Sequence, residues 1–228
     1  FGSETITFTA TDRYGISDTD SATFTVTSVN DLPVVSGIPD QTITEGNLFL
    51  SAKLDDFVSD IEDQDSSMTW SYAGNNWLTV TIDMNRMVTI DVPSINWFGA
   101  DTIIFTATDK DGGSDNDTII FTVTSVNDWP VVTDIPDQTI LEGSIFTTIS
   151  LDNFVTDVED LPADIQWIYS GNTELTVAID TNRVATIGIP DANWYGGDTI
   201  TFMALDRDGG YAGDAAIFTV TSVNDPPV

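Results

Sequence analysis

The feature that most constrains the fold of this chain is an internal repeat with a period of 97 residues. The heptapeptide Thr-Val-Thr-Ser-Val-Asn-Asp occurs at residues 25–31, 122–128 and 219–225. When residues 32–128 and 129–225 are aligned without a gap, about 55 of the 97 positions are identical. A unit of this length is too long for a solenoid repeat and has the size of one independent domain. The chain is therefore expected to be a string of domains.

The alignment also predicts where the domains begin and end. Residues 1–31 match only the last third of the unit, so we expect them to be the C-terminal part of a preceding repeat, with its last two strands and its linker. Residues 32–128 form repeat 1, and residues 129–228 form repeat 2 with the start of the next linker. The sequence thus has the organisation of a piece of a longer array, with targeting signals expected outside it.

The predicted strands of the partial repeat, Glu4–Thr11 and Ser21–Ser28, form a hairpin that lacks the rest of its sandwich. A two-stranded hairpin is marginal on its own. Its apolar face consists of Ile6, Phe8, Phe24 and Val26. We therefore expect this hairpin to be held by a partner surface, supplied by another molecule or by a further stretch of the same protein.

Each complete repeat contains seven short segments, rich in Thr, Val, Ile and Phe, in which apolar and polar residues mostly alternate. Such a period of two is typical of strands with one buried face, and Gly, Asn, Asp and Pro fill the gaps between the segments. The pattern predicts an all-β fold of tandem seven-stranded antiparallel Greek-key β-sandwiches. In repeat 1 the segments are Gln41–Thr44, Leu48–Leu54, Met68–Tyr72, Leu78–Ile82, Met87–Val92, Thr102–Thr108 and Thr118–Thr124.

The tryptophans have structural and functional interpretations. Trp70 and Trp167 stand on the third strand, where an indole commonly fills the space between two sheets. Trp97 and Trp194 precede the sixth strand and are each followed two residues later by glycine. A ring at this place caps one end of the sandwich or, alternatively, offers a stacking platform for a sugar. Trp129 follows the second linker and has Leu32 as its counterpart in repeat 1.

The composition excludes several classes of function. Six Lys and Arg against 37 Asp and Glu give a net charge of −31, which repels nucleic acid and anionic lipid and attracts cations. The chain has neither Cys nor His, so disulfides, thiol nucleophiles, imidazole catalysis and the usual zinc ligands are ruled out. No apolar run is long enough to span a membrane.

Acidic clusters recur at equivalent positions of the repeats. They are Asp60-Ile61-Glu62-Asp63 with its counterpart at 157–160, Asp109-Lys110-Asp111-Gly112-Gly113 with its counterpart at 206–210, and the Asn-Asp pair that ends each linker. In a sandwich the two loops emerge at the end where the linker enters, and carboxylates brought together there repel each other. A bound divalent cation reverses this, and calcium prefers such oxygen ligands. The alternative is that each cluster is a solvated turn.

These motifs resemble those of cadherin-like repeats, in particular the tandem repeats of large calcium-dependent bacterial surface adhesins. The sequence Val-Asn-Asp-x-Pro-Val is similar to the cadherin linker, Asp60-x-Glu62 to its acidic loop, Ala107-Thr108-Asp109 to the end of its sixth strand, and Glu45 to its first-strand glutamate. The resemblance implies a cadherin/Ig-like sandwich with Ca²⁺ in each junction. Ser28, Ser125 and Ser222 stand where the family has aspartate, so we expect one or two ions per junction instead of three.

In the junction between the two repeats, the resemblance implies that Glu45, Asn127 and Asp128 bind calcium from one side and Asp157, Glu159 and Asp206 from the other. No catalytic residue is expected. The full set of candidate metal ligands is Asn30, Asp31, Glu45, Asp60, Glu62, Asp109, Asp111, Asn127, Asp128, Glu142, Asp157, Glu159, Asp206 and Asp208.

The sequence as a whole favours a calcium-rigidified spacer in a cell-surface or secreted adhesin, with calcium and the neighbouring repeats as partners. The alternatives are a carbohydrate- or protein-binding module and a subunit of a self-assembling extracellular filament, in which another copy would bind through residues 1–31. An enzyme is not expected. Asp55 and Asp56 resemble a carboxylate pair, but Asn153 replaces Asp56 in repeat 2.

Overall fold

The structure is a computed structural model that describes residues 1–224, so Asp225 of the third linker lies outside the described residues. It divides into two compact units, Phe1–Thr124 and Ser125–Val228, which are described separately. The described part of the chain consists of strands, turns and three short 3₁₀ turns, at Leu54–Phe57, Asp65–Ser67 and Leu151–Phe154. None of its helical segments is long and apolar enough to cross a membrane.

The first unit begins with an isolated hairpin of β1 (Gly2–Thr11) and β2 (Ser17–Val26), paired antiparallel. Its apolar face is exposed within this chain. Phe8 and Phe24 are 56% and 55% exposed, whereas their counterparts in repeat 1, Phe105 and Phe121, are 0% and 2% exposed. The difference arises because residues 1–31 lack the strands that cover this face in a complete repeat.

Repeat 1 folds into a sandwich of a four-stranded sheet and a three-stranded sheet, with a short two-stranded sheet beside them. The sheet orders are β4-β11-β10-β7, β5-β9-β8 and β3-β6. The strands are β3 (Val34–Val35), β4 (Gln41–Thr44), β5 (Ala52–Lys53), β6 (Val58–Ser59), β7 (Thr69–Ala73), β8 (Thr79–Ile82), β9 (Met87–Asp91), β10 (Gly99–Thr108) and β11 (Ser114–Thr124).

Repeat 2 has the same topology in the second unit. Its sheet orders are β13-β20-β19-β16, β14-β18-β17 and β12-β15. The strands are β12 (Val131–Val132), β13 (Gln138–Leu141), β14 (Ile149–Ser150), β15 (Val155–Thr156), β16 (Gln166–Ser170), β17 (Thr176–Ile179), β18 (Val184–Gly188), β19 (Gly196–Leu205) and β20 (Tyr211–Thr221).

The predicted all-β sandwich is confirmed, with differences in detail. β4 pairs with β11 in parallel, because the chain first pairs with β6 through β3 and then crosses to the other sheet. The predicted strand Leu48–Leu54 shrinks to β5. The side-chain amide of Gln41 bonds both the N–H and the carbonyl of Leu50, at 2.8 and 3.0 Å, so a side chain replaces a strand partner there.

Aromatic side chains organise both cores. Phe49 meets Phe121 edge to face at 5.1 Å in repeat 1, and Phe146 meets Phe218 at 5.3 Å in repeat 2. Trp167 is buried, and its counterpart Trp70 packs against the repeat 1 core. These contacts agree with the predicted core role of the third-strand tryptophans.

Trp97 and Trp194 also pack against the cores of their repeats. Each indole lies over the glycine that begins the next strand. A Cβ added to Gly99 or Gly196 would lie 3.0 or 2.9 Å from the ring, and both glycines have positive φ, at 148° and 151°. This arrangement favours the capping role of these two rings over a sugar platform.

Candidate metal centre

In repeat 2 the site begins with Asp157, which directly follows β15. Its Oδ1 atom accepts the backbone N–H groups of Glu159 and Asp160, both at 2.9 Å, which folds the acidic loop into a tight turn. The Oδ2 atom is buried and has no hydrogen-bond partner. Because buried polar atoms are nearly always bonded, this oxygen has the capacity to bind a ligand.

The turn between β19 and β20 is organised by the buried carboxylate of Asp206. Its Oδ1 atom accepts the N–H groups of Asp208, Gly209 and Gly210, at 2.6–2.9 Å, and Oδ2 accepts Nδ2 of Asn127 at 3.0 Å. Burial acts to raise the pKa of Asp206, but the hydrogen bonds from Asn127 and the turn outweigh it and lower the pKa. Asp206 is therefore ionised at neutral pH.

Glu159 ties the acidic loop to the linker. Its Oε1 atom accepts the hydroxyl of Ser125 at 3.3 Å, and Oε2 accepts the N–H of Asp128 at 3.1 Å. A carboxylate oxygen of Asp128 lies within 4.8 Å of one of Glu159, and Oδ1 of the neighbouring Asn127 is buried without a hydrogen-bond partner. The linker and the loop thus bring several oxygens together at one end of repeat 2.

The same arrangement recurs at the start of repeat 1. Oδ1 of Asp60 accepts the N–H groups of Glu62 and Asp63 at 2.8 Å, and its Oδ2 is again buried without a hydrogen-bond partner. Asn30 Nδ2 donates to Asp109 at 2.9 Å, and Asp31 N donates to Glu62 at 3.1 Å. Within unit 1 the linker, the loop and the turn therefore meet as their counterparts do in unit 2.

The remaining candidates occupy other places within their own repeats. Asp111 and Asp208 are exposed at the tips of their turns, and the carboxylate of Asp111 lies 3.5 Å from Nζ of Lys110. Glu45 and Glu142 lie at the opposite end of their own repeats. Their N–H groups bond the carbonyls of Thr124 and Thr221, each at 2.9 Å, where the last strand of the repeat ends.

Comparisons with known proteins agree with this fold. A family model described as a bacterial Ig domain matches residues 30–122. The solved structure of PcdhgB3 EC1-4 superposes with a TM-score of 0.62 at 16% identity, covering 97% of this chain and 58% of that chain. The repeats of the chain therefore have a cadherin-like, Ig-like β-sandwich fold. Drosophila N-cadherin EC1-4 also superposes, with a TM-score of 0.51 at 14% identity, over 97% of this chain and 58% of that one. No curated relative matches the sequence.

The sequence did not predict the contacts of two features of these cadherin-like repeats. The first is the linker serine. Ser28 and Ser125 each donate the side-chain hydroxyl to the loop glutamate, Glu62 at 2.9 Å and Glu159 at 3.3 Å. A serine therefore holds the glutamate without adding a negative charge.

The second feature is an ion pair that joins the acidic loop to the following turn. Arg207 bonds Asp160 through its side chain, with Nε 2.6 Å from Oδ1, and through its backbone N–H at 3.0 Å. Lys110 and Asp63 form the corresponding pair in repeat 1. In the sequence, this pair is indicated by the single basic residue inside each turn, Lys110 or Arg207, which stands at the same position of both repeats. These pairs fix the spacing of the two acidic segments.

The donor set of these sites fits calcium. Every available donor is a carboxylate or amide oxygen, and the chain has no His or Cys to supply a nitrogen or sulfur ligand. Calcium accepts six to eight such oxygens in flexible geometry. In repeat 2 the oxygens with capacity to coordinate are Asp157 Oδ2, Asn127 Oδ1 and the carboxylates of Asp128 and Glu159.

Proposed function

We propose that this chain is a non-catalytic, calcium-rigidified spacer segment of an extracellular or cell-surface adhesin, and that each cadherin-like repeat binds one or two calcium ions at its N-terminal end. The observation that carries the proposal is the recurrence of one site. Asp60 and Asp157 occupy the same place in the two repeats and have the same two N–H partners on Oδ1 and the same buried, unpartnered Oδ2.

Electrostatics supports a cation at this place. Two carboxylates about 4 Å apart repel by about 4 kcal/mol at an effective dielectric of 20, and Asp128 and Glu159 approach within 4.8 Å. A buried oxygen without a partner costs about 1–3 kcal/mol. A bound calcium ion removes both penalties at once, whereas magnesium is a poor substitute because it demands a rigid octahedral shell.

The recurrence of the same fold and the same site in the two repeats supports a spacer. A dedicated binding module needs one good site, whereas a spacer gains from repeated units of equal stability. In this proposal the repeats hold a distal part of the adhesin away from the surface, and calcium stiffens the array. The chain spans 58% of the length of PcdhgB3 EC1-4.

Asp157→Asn is expected to abolish the stabilisation of repeat 2 by calcium while leaving its calcium-free melting temperature unchanged or slightly raised. The amide keeps the Oδ1 acceptor that folds the loop and removes only the charge and the coordinating Oδ2 atom. The measurement is calorimetric melting of the intact chain with calcium and with chelator.

Asp180→Asn is the matched control for this experiment. Asp180 folds a turn of repeat 2 in the same way, accepting the N–H groups of Asn182 and Val184 at 2.8 and 2.9 Å, but lies exposed and outside the acidic clusters. Equal losses of the calcium response in both variants would mean that calcium acts by general screening and not at a site. Glu45→Gln tests in the same assay whether the preceding repeat contributes a ligand.

A further inference from the structure

Repeat 2 differs from repeat 1 in one compact apolar patch on the outer face of its four-stranded sheet. We name as the apolar patch the side chains of Trp129, Ile168, Met203, Leu205 and Tyr211. The corresponding residues of repeat 1 are Leu32, Ser71, Thr106, Thr108 and Ser114. Four hydroxyl-bearing residues are thus replaced by apolar or aromatic ones, and a leucine is replaced by tryptophan.

The strand register brings these positions together. Ile168 pairs with Met203 across β16 and β19, and Leu205 pairs with Tyr211 across β19 and β20. Paired residues on one face of a sheet have Cβ atoms about 5 Å apart, so the four side chains form two adjacent rows. The ring of Trp129 stacks on that of Tyr211, with centroids 5.5 Å apart and an interplanar angle of 21°.

The patch is open to solvent. Trp129 is 63% exposed, Tyr211 51% and Ile168 41%, while Met203 and Leu205 are half-buried. Since a Trp or Tyr ring carries about 150–250 Å² of surface, the two rings and Ile168 expose roughly 300 Å² of contiguous apolar area. Trp, Tyr and Met are also enriched at the centres of protein interfaces.

The absence of charged residues on the sheet face around the apolar patch indicates which partner it binds. The outward positions of β13, β16, β19 and β20, which alternate with the core positions, include no charged residue, although 19% of the whole chain is charged. Charged residues stand at one end of the sheet, in the turn 206–210 and at Asp128, which precedes Trp129. Two copies of a chain with a net charge of −31 repel each other, and the repulsion is weakest where both present such a neutral face.

We propose that the apolar patch is a contact between two copies of this chain, related by a two-fold axis through the Met203 row. At about 3.4 Å per residue, Asp206 lies about 10 Å from that row, so the two-fold operation places the two acidic turns about 20 Å apart. This separation exceeds the Debye length of about 8 Å at physiological ionic strength. Each partner contributes about 500 Å² of sheet surface, which corresponds to a weak, reversible dimer.

The decisive experiment replaces the four strand residues of the apolar patch, and keeps Trp129, by introducing the residues that repeat 1 carries at the same positions: Ile168→Ser, Met203→Thr, Leu205→Thr and Tyr211→Ser. Repeat 1 has the same topology with these residues in the same register, so the variant is expected to fold, and melting verifies this. Sedimentation equilibrium of the intact chain is measured in chelator, at about 0.05 M and about 0.5 M NaCl, so that the result does not depend on calcium.

We expect the unmodified chain to self-associate, more strongly at the higher salt concentration, and the variant to associate at least tenfold more weakly. The reciprocal variant, Ser71→Ile, Thr106→Met, Thr108→Leu and Ser114→Tyr, is expected to associate more strongly than the unmodified chain. Association that survives the repeat 2 substitutions would overturn the proposal, since it would then arise elsewhere, for example at the exposed face of the hairpin. A chain that stays monomeric at both salt concentrations would also overturn it and leave the patch to a different partner.

A distance measurement locates the contact. The chain has no cysteine, so Ala215→Cys on the outer face of the four-stranded sheet, or Ala178→Cys on the other sheet, gives a single labelling position. Spin labels at residue 215 are expected to lie closer together between copies than labels at residue 178, by roughly 20 Å, because the two sheets of each sandwich are about 10 Å apart. The opposite order would contradict the proposed face.

Discussion

Asp198→Ala is expected to destabilise repeat 2 by about 3 kcal/mol or more, the largest loss among single polar substitutions considered for this repeat. The Asp198 carboxylate is 6% exposed and accepts the N–H groups of Thr173, Glu174 and Leu175, at 2.8, 2.9 and 2.8 Å. Alanine leaves these three donors without partners at a place that water reaches poorly. The measurement is the free energy of unfolding of repeat 2 by denaturant or heat.

Asp198→Asn serves as the isosteric control, and we expect it to lose less, because the amide oxygen still accepts hydrogen bonds. Asp180→Ala, which removes an exposed turn carboxylate, should cost about 1 kcal/mol or less. If Asp198→Ala and Asp180→Ala lower the free energy of unfolding by the same amount, the buried carboxylate of Asp198 does not stabilise this turn as proposed.

The same carboxylate makes repeat 2 sensitive to acid. Burial acts to raise the pKa of Asp198, but hydrogen bonds from the Thr173 hydroxyl and from three backbone N–H groups outweigh it, and the pKa falls to about 2. Because the folded pKa lies below the unfolded value, the group stabilises the fold by about 2 kcal/mol at neutral pH. That contribution is lost as the pH falls from about 4 to about 2, and Asp198→Asn should flatten the pH dependence in this window.

Gly171→Ala is expected to destabilise repeat 2 by about 3 kcal/mol or more. Gly171 has φ +92°, and a Cβ built on it would lie 2.5 Å from the backbone carbonyl oxygen of Thr199. A methyl group there is both in a disfavoured backbone conformation and in contact with an atom that cannot move without disturbing β19. The measurement is again the free energy of unfolding of repeat 2.

Gly143→Ala separates the two penalties. Gly143 also has positive φ, at +76°, but its added Cβ would meet only the carbonyl oxygen of Ala192 at an ordinary 3.9 Å. We expect this variant to lose about 1–2 kcal/mol, the cost of the left-handed conformation alone. Equal losses at the two glycines would show that the close approach of Gly171 to β19 relaxes without cost.

Much of the fold follows from alternation and from the repeat. The period of two in segments such as Thr102–Thr108 predicts strands because one face must be buried, and the structure places Ile103, Phe105 and Ala107 fully inside. Local patterns could not show the parallel pairing of β4 with β11, since it depends on where the chain crosses between sheets. Nor could they show that the Gln41 side chain would replace a strand partner at Leu50.

The candidate site was predictable in its segments but not in the role of each atom. Topology alone brings the linker, the acidic loop and the turn to one end of a sandwich, and the structure joins them through contacts such as Asn127 with Asp206. The sequence could not distinguish Asp206, whose two oxygens are occupied by hydrogen bonds, from Asp157, whose Oδ2 is left without a partner. That distinction depends on side-chain directions within each turn.

Calcium bound at these repeated sites would stabilise the array, and thermal melting of the intact chain measures this stabilisation. Sites with Kd values of about 10⁻⁴–10⁻³ M add about 0.4–1.4 kcal/mol each at millimolar calcium, which corresponds to a rise in Tm of roughly 2–8 °C for a domain of this size. We expect this rise with calcium, its loss with chelator and a much smaller effect of magnesium. A Tm that is the same in calcium, magnesium and chelator would contradict this expectation.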